Sequence, residues 1–312
     1  MRILIYGAGG VGGYFGGRLA KAGNLVSIIA RGKHLEAIKK NGLEVESING
    51  NFKIILSKVT DDLTEVEAPE LIILGLKSWQ IPEAAKELKS IINPNTMVLP
   101  LQNGASNVEN LMKVLPKENI LGGLCHIVSF VSAPGRIKHV SFEPKITFGE
   151  LDNSNSVRVQ KLEKVFSDAK ITNIVSEDID LEIWKKFLFI TTISALGGLT
   201  RVSLGEMRES SYLMDLMRKT AGEIKNVANA KGIALNEDHI KVVFEVINKL
   251  DPKTTASTQR DIMEGKPSEL ENFNGYIVKE GNRLNIPTPV NQFIYECLLP
   301  MENQARMQAE SK

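Results

Sequence analysis

Cysteine is nearly absent from this chain: Cys125 and Cys297 are the only two in 312 residues, far apart and in no CxxC or Cys/His spacing. With only four histidines besides, a structural zinc site is not expected, and no metal is assigned. The pattern fits a reduced, cytoplasmic protein. An excess of charge is also lacking, because 38 Lys and Arg face 37 Asp and Glu for a net charge of +1. No bulk field draws such a chain to nucleic acid or to an anionic membrane, so neither is expected as a partner. The apolar run Phe187 to Thr200 is too short and too rich in Thr, Ser and Gly for a membrane span. No signal peptide is expected ahead of a strand that starts almost at Met1, and no repeats or low-complexity tracts occur.

What is abundant is glycine at the N-terminus. Arg2–Tyr6 reads as a buried strand, Gly7-Ala8-Gly9-Gly10-Val11-Gly12 follows directly, and a helix over Val11–Ala22 and a second strand over Leu25–Ala30 come next. In this context Gly7 permits the tight turn out of the strand, Gly9 lets backbone approach a pyrophosphate, and Gly12 lets the helix pack closely on the sheet. The helix N-terminus turns its unpaired N–H groups and positive dipole end toward the phosphates. A glycine-rich turn that binds nothing is the competing reading. The second strand ends in Arg31, where an NAD-binding protein usually carries an acid for the ribose 2′-hydroxyl. Arg31, with Lys33 near it, would instead meet a 2′-phosphate, which favours NADPH; a solvated strand-end charge is the alternative.

Strand and helix patterns alternate through the first half: a strand over Leu71–Lys77, a helix over Ile81–Ile92, a strand over Thr96–Gln102 and a helix over Ala105–Leu115. Shorter strands are expected at Leu43–Glu46, Phe52–Leu56, Leu121–Ser132, Gly135–Phe142 and Lys145–Gly149, then a helix over Val157–Ala169 and a strand near Ile171–Val175. From Leu181 the periodicity is helical, over Leu181–Leu196, Tyr212–Lys231, Glu237–Leu250, Lys253–Glu264, Ser268–Leu284 and Pro289–Met301, with a polar, frayed tail from Gln304. The expected fold is therefore α/β, a Rossmann-type doubly wound sheet followed by an all-helical C-terminal domain. The division expected is an NADP-binding domain over 1–176 and a helical substrate and catalytic domain over 177–312. The last helix, with Phe293, Ile294, Leu298 and Leu299, suits either core or the interface of a homodimer.

Reduction of a carbonyl by a nicotinamide needs a proton donor at the developing alkoxide and groups that orient the substrate. No YxxxK pair supplies the donor, since Tyr276 is followed four residues on by Glu280 and Tyr212 by Leu216. His34 and His239 sit in polar helical surroundings, and His126 and His139 lie on expected strands. Lys186 begins a strongly apolar helix just past the domain boundary, and a lysine partly removed from water gives up its proton nearer neutral pH. Snorkelling to water is the competing reading for Lys186, and the one adopted for Lys185. Ser268 reads as a helix N-cap with Glu269 and Glu271 in the first turn, and Ser257 and Asp261 lie one turn apart. Lys77 and Asn103 end strands at the carboxyl edge of the sheet, where ligands bind in open α/β folds.

Taken together, Gly7 to Gly12, Leu76-Lys77-Ser78-Trp79-Gln80, Gln102-Asn103-Gly104, Glu182-Ile183-Trp184-Lys185-Lys186, Ser257 with Asp261, and Ser268 to Gly275 resemble the ketopantoate reductase family over essentially the whole chain. The resemblance implies NADPH-dependent reduction of a small 2-oxo acid, ketopantoate first, to its 2-hydroxy acid on the way to pantothenate. It also implies roles: Lys186 protonates the alkoxide, Glu269 hydrogen-bonds on the cofactor or substrate side and helps hold that lysine, Ser257 binds the substrate carboxylate, Asn103 touches nicotinamide and substrate, and Lys77 lies along the cofactor. Where the family's pattern has polar side chains after the lysine, this chain has Ile190, Ser194 and Leu204. Those positions leave open another branched 2-oxo acid as substrate. A protein that senses NADPH without chemistry is the remaining alternative, against which the presence of both Lys186 and Glu269 argues.

Overall fold

Three runs of apolar residues short enough for strands and flanked by turn residues become the centre of a parallel sheet in the computed structural model, which describes residues 1–310. The chain divides into two compact units, Met1–Asn103 with Asn107–Asp180, and Gly104–Ser106 with the chain from Leu181 on. In the first unit the order is β1 (Arg2–Tyr6), α1 (Gly10–Lys21), β2 (Leu25–Ile29), α2 (Gly32–Asn41), β3 (Leu43–Ser47), β4 (Phe52–Ile54), β5 (Lys58–Thr60), β6 (Leu71–Leu74), α3 (Ile81–Leu88), β7 (Met97–Pro100), α4 (Asn107–Met112), β8 (Gly122–Ala133), β9 (Arg136–Gly149), α5 (Val157–Asp168) and β10 (Thr172–Val175).

One sheet is wholly parallel, in the order β5-β2-β1-β6-β7, with Ile3 opposite both Val26 and Leu71. All four residues of β6 and of β7 are buried, as parallel strands covered on both faces require. A second sheet runs β10-β9-β3-β4, with β8 antiparallel to β9.

Helix α1 packs against both sheets at once. A Cβ on Gly16 would stand 2.8 Å from Ile5 Cγ1 in the first sheet, and one on Gly13 or Gly17 would stand 2.7 Å from Ile137 or 3.1 Å from Phe52 in the second. Phe15 and Leu19 on the same helix enter the core with Ile3, Ile28, Ile73, Leu99, Phe148 and Phe166. The glycines therefore serve close packing along the whole helix, beyond its phosphate-facing end.

The strands expected at Gly135–Phe142 and Lys145–Gly149 form the single strand β9, which starts at Arg136. Pro144 lies in an irregular stretch of it, where Phe142 has φ +33° and the pairing with β8 shifts register. Buried His139 holds that stretch: its Nε2 lies 2.8 Å from the Ser141 carbonyl and 2.9 Å from that of Phe142, while Nδ1 meets the Ser47 hydroxyl at 2.8 Å.

The second unit is α6 (Ile179–Thr200), α7 (Leu204–Glu209), α8 (Ser211–Ala230), α9 (Glu237–Lys249), α10 (Ser257–Met263), α11 (Tyr276–Leu284) and α12 (Pro289–Glu310), with no strand among its described residues. Helix α10 starts at Ser257 rather than Lys253, because Asp251–Thr254 forms a turn whose carbonyls receive the N–H groups of Leu204 and Gly205. Helix α12 continues through the tail expected to fray, with Glu302 and Ala305 buried. In α12 Ile294 and Leu298 are core, and Phe293 is exposed. No helix among the described residues is long and apolar enough to cross a membrane.

The packing of α1 predicts opposite effects for one chemical change. Gly16→Ala should lower the free energy of unfolding in urea by about 1–2 kcal/mol, since overpacking outweighs the gain in helix propensity. At Gly222 in α8 a Cβ meets nothing within 4 Å, so Gly222→Ala should raise stability by up to about 1 kcal/mol. A stabilised Gly16→Ala protein would contradict the close contact of α1 with the sheet.

Candidate active site

The loop Gly7–Gly10 leaves β1 at the carboxyl edge of the parallel sheet, next to the end of β6. The chain works outward from β1 through β2 to β5 on one side and from β6 to β7 on the other, so this is the topological switch point where α/β sheets bind ligands. Gly7 has φ +107°, and a Cβ there would stand 2.8 Å from Leu76 N. A Cβ on Gly12 would stand 2.0 Å from the Gly7 carbonyl oxygen and 2.9 Å from Ile5 Cγ2, so turn, helix and strand meet with no room for a methyl group. A Cβ on Gly9 would make only an ordinary contact, 3.5 Å from the Gly75 oxygen. Internal packing does not demand glycine at position 9, which leaves close approach of a ligand as the physical use of that residue. The first turn of α1 has no acid and no side-chain cap, so its N–H groups and positive end are open to an anion. These residues fit a dinucleotide pyrophosphate.

Ala8 is buried, and its carbonyl oxygen lies 2.9 Å from Nε2 of His34 on α2. Val11 packs on the core. Arg31 is exposed as the N-cap of α2, whose first turn carries no acid, and Lys33 is exposed beside it. The Tyr6 hydroxyl donates to Glu87 on α3. Burial, together with that carboxylate, pushes the Tyr6 phenol well above its ordinary value, while the positive charge of Arg31 acts in the opposite direction.

Lys77 follows β6 and is exposed; its N–H donates to Gln80 Oε1 at 3.0 Å, and its Nζ lies 5.5 Å from the Trp79 ring centre. Asn103 follows β7, and its carbonyl, like that of Gln102, accepts from Asn107 Nδ2. Gln102 is 8 % exposed, with neither Nε2 nor Oε1 bonded to the protein. An unsatisfied buried carboxamide is costly, which marks Gln102 as a further polar group at this edge; only its place between β7 and Asn103 signalled it in the sequence.

In the second unit, Lys186, Ile190 and Ser194 follow one another at four-residue spacing along α6. Lys186 and Ile190 are half-buried and Ser194 is buried. Lys185 pairs with Glu182 at 2.7 Å. Phe187, next to Lys186, meets Phe273 and Tyr276 edge-on at 6.1 and 6.0 Å, and Trp184 meets Tyr276 at 6.1 Å. This aromatic cluster brings α6 alongside the segment that carries Glu269.

Glu269 is 4 % exposed and sits between two anchored stretches. On one side Ser268 donates its hydroxyl to Glu302 at 2.5 Å and its N–H to the same carboxylate at 3.1 Å, while Arg306 pairs with Glu302 at 2.7 Å. On the other, Glu271–Gly275 forms a π-helical turn instead of the expected regular α-helix. Asn274 there donates to Asn291 at 2.9 Å, and Asn291 donates to Glu223 at 2.7 Å. Glu302, Asn291 and Glu223 escaped the sequence reading because each acts on residues distant in the chain. Glu271, expected as a first-turn acid, accepts from the Tyr295 hydroxyl at 2.5 Å.

Ser257 is exposed at the start of α10, with Asp261 half-buried one turn on. Helix α10 packs directly on α6, where Cβ atoms on Gly197 and Gly198 would stand 2.6 Å from Gln259 and 2.7 Å from Ile262. Leu204 is buried, and its N–H donates to Thr254 O at 3.0 Å. Among the described residues no group of three or more His, Cys, Asp and Glu could hold a metal ion.

Residues 3–153 match the family described as Ketopantoate reductase PanE/ApbA, and residues 178–302 match Ketopantoate reductase PanE/ApbA C terminal. The chain is similar to an uncharacterized oxidoreductase, YkpB, of Bacillus subtilis (30% identity over 298 residues, 96% of this chain and 98% of that protein). It is similar to 2-dehydropantoate 2-reductase of Pyrococcus abyssi (31% identity over 296 residues, 95% and 96%). Among solved structures it is similar to the ternary complex of D-mandelate dehydrogenase with NADH and anilino(oxo)acetate (TM-score 0.88, 26% identity, 98% of this chain and 100% of that chain).

The contact at Gly12 predicts that Gly12→Ala weakens dinucleotide binding, measured by fluorescence titration, on the order of tenfold or more, because the backbone oxygen of Gly7 must move. Unchanged affinity would remove the loop from the binding site.

Proposed function

The chain is an oxidoreductase that belongs to the ketopantoate reductase family, and we propose that it reduces a small branched 2-oxo acid with NADPH, ketopantoate being the leading substrate and pantoate its product. The observation that carries this reading is Glu269, a buried carboxylate held between the Ser268–Glu302 and Asn274–Asn291 bonds and packed through Phe273 against the neighbour of Lys186.

In the proposed division, residues 1–176 hold the dinucleotide and residues 177–312 supply the substrate-binding and catalytic groups. Gly7, Ala8, Gly9, Gly10, Val11 and Gly12 receive the pyrophosphate, Arg31 the 2′-phosphate, and Lys77 and Asn103 the nicotinamide side. When bound, the dihydronicotinamide supplies the hydride. Lys186 gives its proton to the substrate oxygen as the 2-oxo carbon is reduced, and Glu269 orients the ammonium. Ser257 binds the substrate carboxylate, and Ile190 and Ser194 set the shape of the site around the substrate chain.

A second reading rests on the D-mandelate dehydrogenase likeness and on the apolar Ile190 and Leu204: a bulkier or more apolar 2-oxo acid as substrate, or NADH as cofactor.

Lys186→Ala should lower kcat by about a hundredfold or more, the ordinary contribution of a positioned general acid, with cofactor affinity little changed; undiminished turnover would overturn the assignment. Arg31→Ala should raise KM for NADPH much more than for NADH, and equal loss for both would take the 2′-phosphate away from Arg31.

A further inference from the structure

His34 on α2 is bonded to two separate elements of the first unit. Nδ1 accepts the Gly135 N–H at 2.9 Å from the turn between β8 and β9, and Nε2 faces the Ala8 carbonyl at 2.9 Å in the glycine loop. A ring that accepts at Nδ1 and meets an acceptor at Nε2 must be the neutral tautomer protonated at Nε2. Burial lowers the imidazole pKa, in keeping with that form.

The Ala8 carbonyl shares a planar trans peptide with the Gly9 N–H, so the two point in opposite directions. Glycine at position 9 would let that peptide plane turn freely; the bond from His34 holds it. The hairpin is fastened to the same region twice more, where a Cβ on Gly10 would stand 2.2 Å from Ser129 O and one on Gly135 would stand 3.1 Å from Ala37 Cβ on α2.

We propose that His34 is a positioning residue for the cofactor: by holding the Ala8–Gly9 peptide and the hairpin turn together, it presents the Gly9 N–H to the dinucleotide pyrophosphate. This rests on the reading of the glycine loop as the dinucleotide site.

The test measures binding of NADPH and of adenosine 2′-monophosphate, which lacks the pyrophosphate, to the wild-type protein and to His34→Ala, His34→Gln and His34→Asn, with kcat at saturating NADPH. His34→Ala should weaken NADPH about tenfold, the scale of a weakened hydrogen bond from the Gly9 N–H to the charged pyrophosphate, and leave adenosine 2′-monophosphate binding and kcat nearly unchanged. Gln places an amide donor near the Nε2 position and should recover most of the loss. Asn, which reaches only the Nδ1 position, should recover less. Equal weakening of both ligands, or a Gln variant no better than Ala, would overturn the proposal, and so would undiminished NADPH affinity in a folded Ala or Gln variant. A wild-type protein that binds neither NADPH nor NADH would instead overturn the underlying reading of the loop, and the role of His34 with it.

Discussion

Close backbone contact around α1 is the constraint on which the first unit depends. Gly12 meets the Gly7 carbonyl and Ile5, Gly16 meets Ile5 from the next turn, and Gly13 and Gly17 meet the second sheet. Glycine inside a helix costs about 1 kcal/mol relative to alanine, so a helix with so many glycines depends on burying Phe15 and Leu19, at i+3 and i+7 from Gly12 on the same side, in the core. The functional consequence is that the loop has its shape before any ligand arrives. Preorganised N–H groups bind without first paying to be ordered.

The second unit relies on a different interaction, the buried carboxylate that is fully hydrogen-bonded. Glu223 accepts the N–H groups of Val290 and Asn291 at the start of α12, Glu302 holds Ser268 and Arg306, and Glu280 pairs with Lys231 and Arg283. Removing one partner from such a site leaves a charge uncompensated, which is far more costly than the net value of the pair. Glu269 lies within this framework, and its backbone is fixed by neighbours on both sides. The π-helical turn Glu271–Gly275 stands where a regular helix is expected to start at Ser268, and α11 follows it only from Tyr276.

The fold was legible wherever its signals are local. The glycine loop, the parallel strands and the long helices are written in contiguous patterns, so β1 and α9 begin where the sequence says they do. Contacts across the chain were not legible. Within β9, His139 bonds to Ser47, 92 residues away, and α7 is a helix of six residues, too short to show a period. The candidate site divides the same way: Gly7 to Gly12 could be read directly from spacing and Lys186 weighed as a proton donor against snorkelling, while the role of Glu269 came from resemblance. The supports of Glu269 at Glu302 and Asn291, and the tie from His34 to Ala8 and Gly135, required the folded chain.

Steady-state turnover of the purified protein with NADPH and with NADH, across ketopantoate and a panel of other branched and aryl 2-oxo acids, tests the central claim most directly. The account predicts NADPH-dependent reduction with one branched 2-oxo acid, ketopantoate first, well ahead of the rest in kcat/KM. No turnover of any 2-oxo acid with either cofactor, by a protein that still binds NADPH, would contradict it.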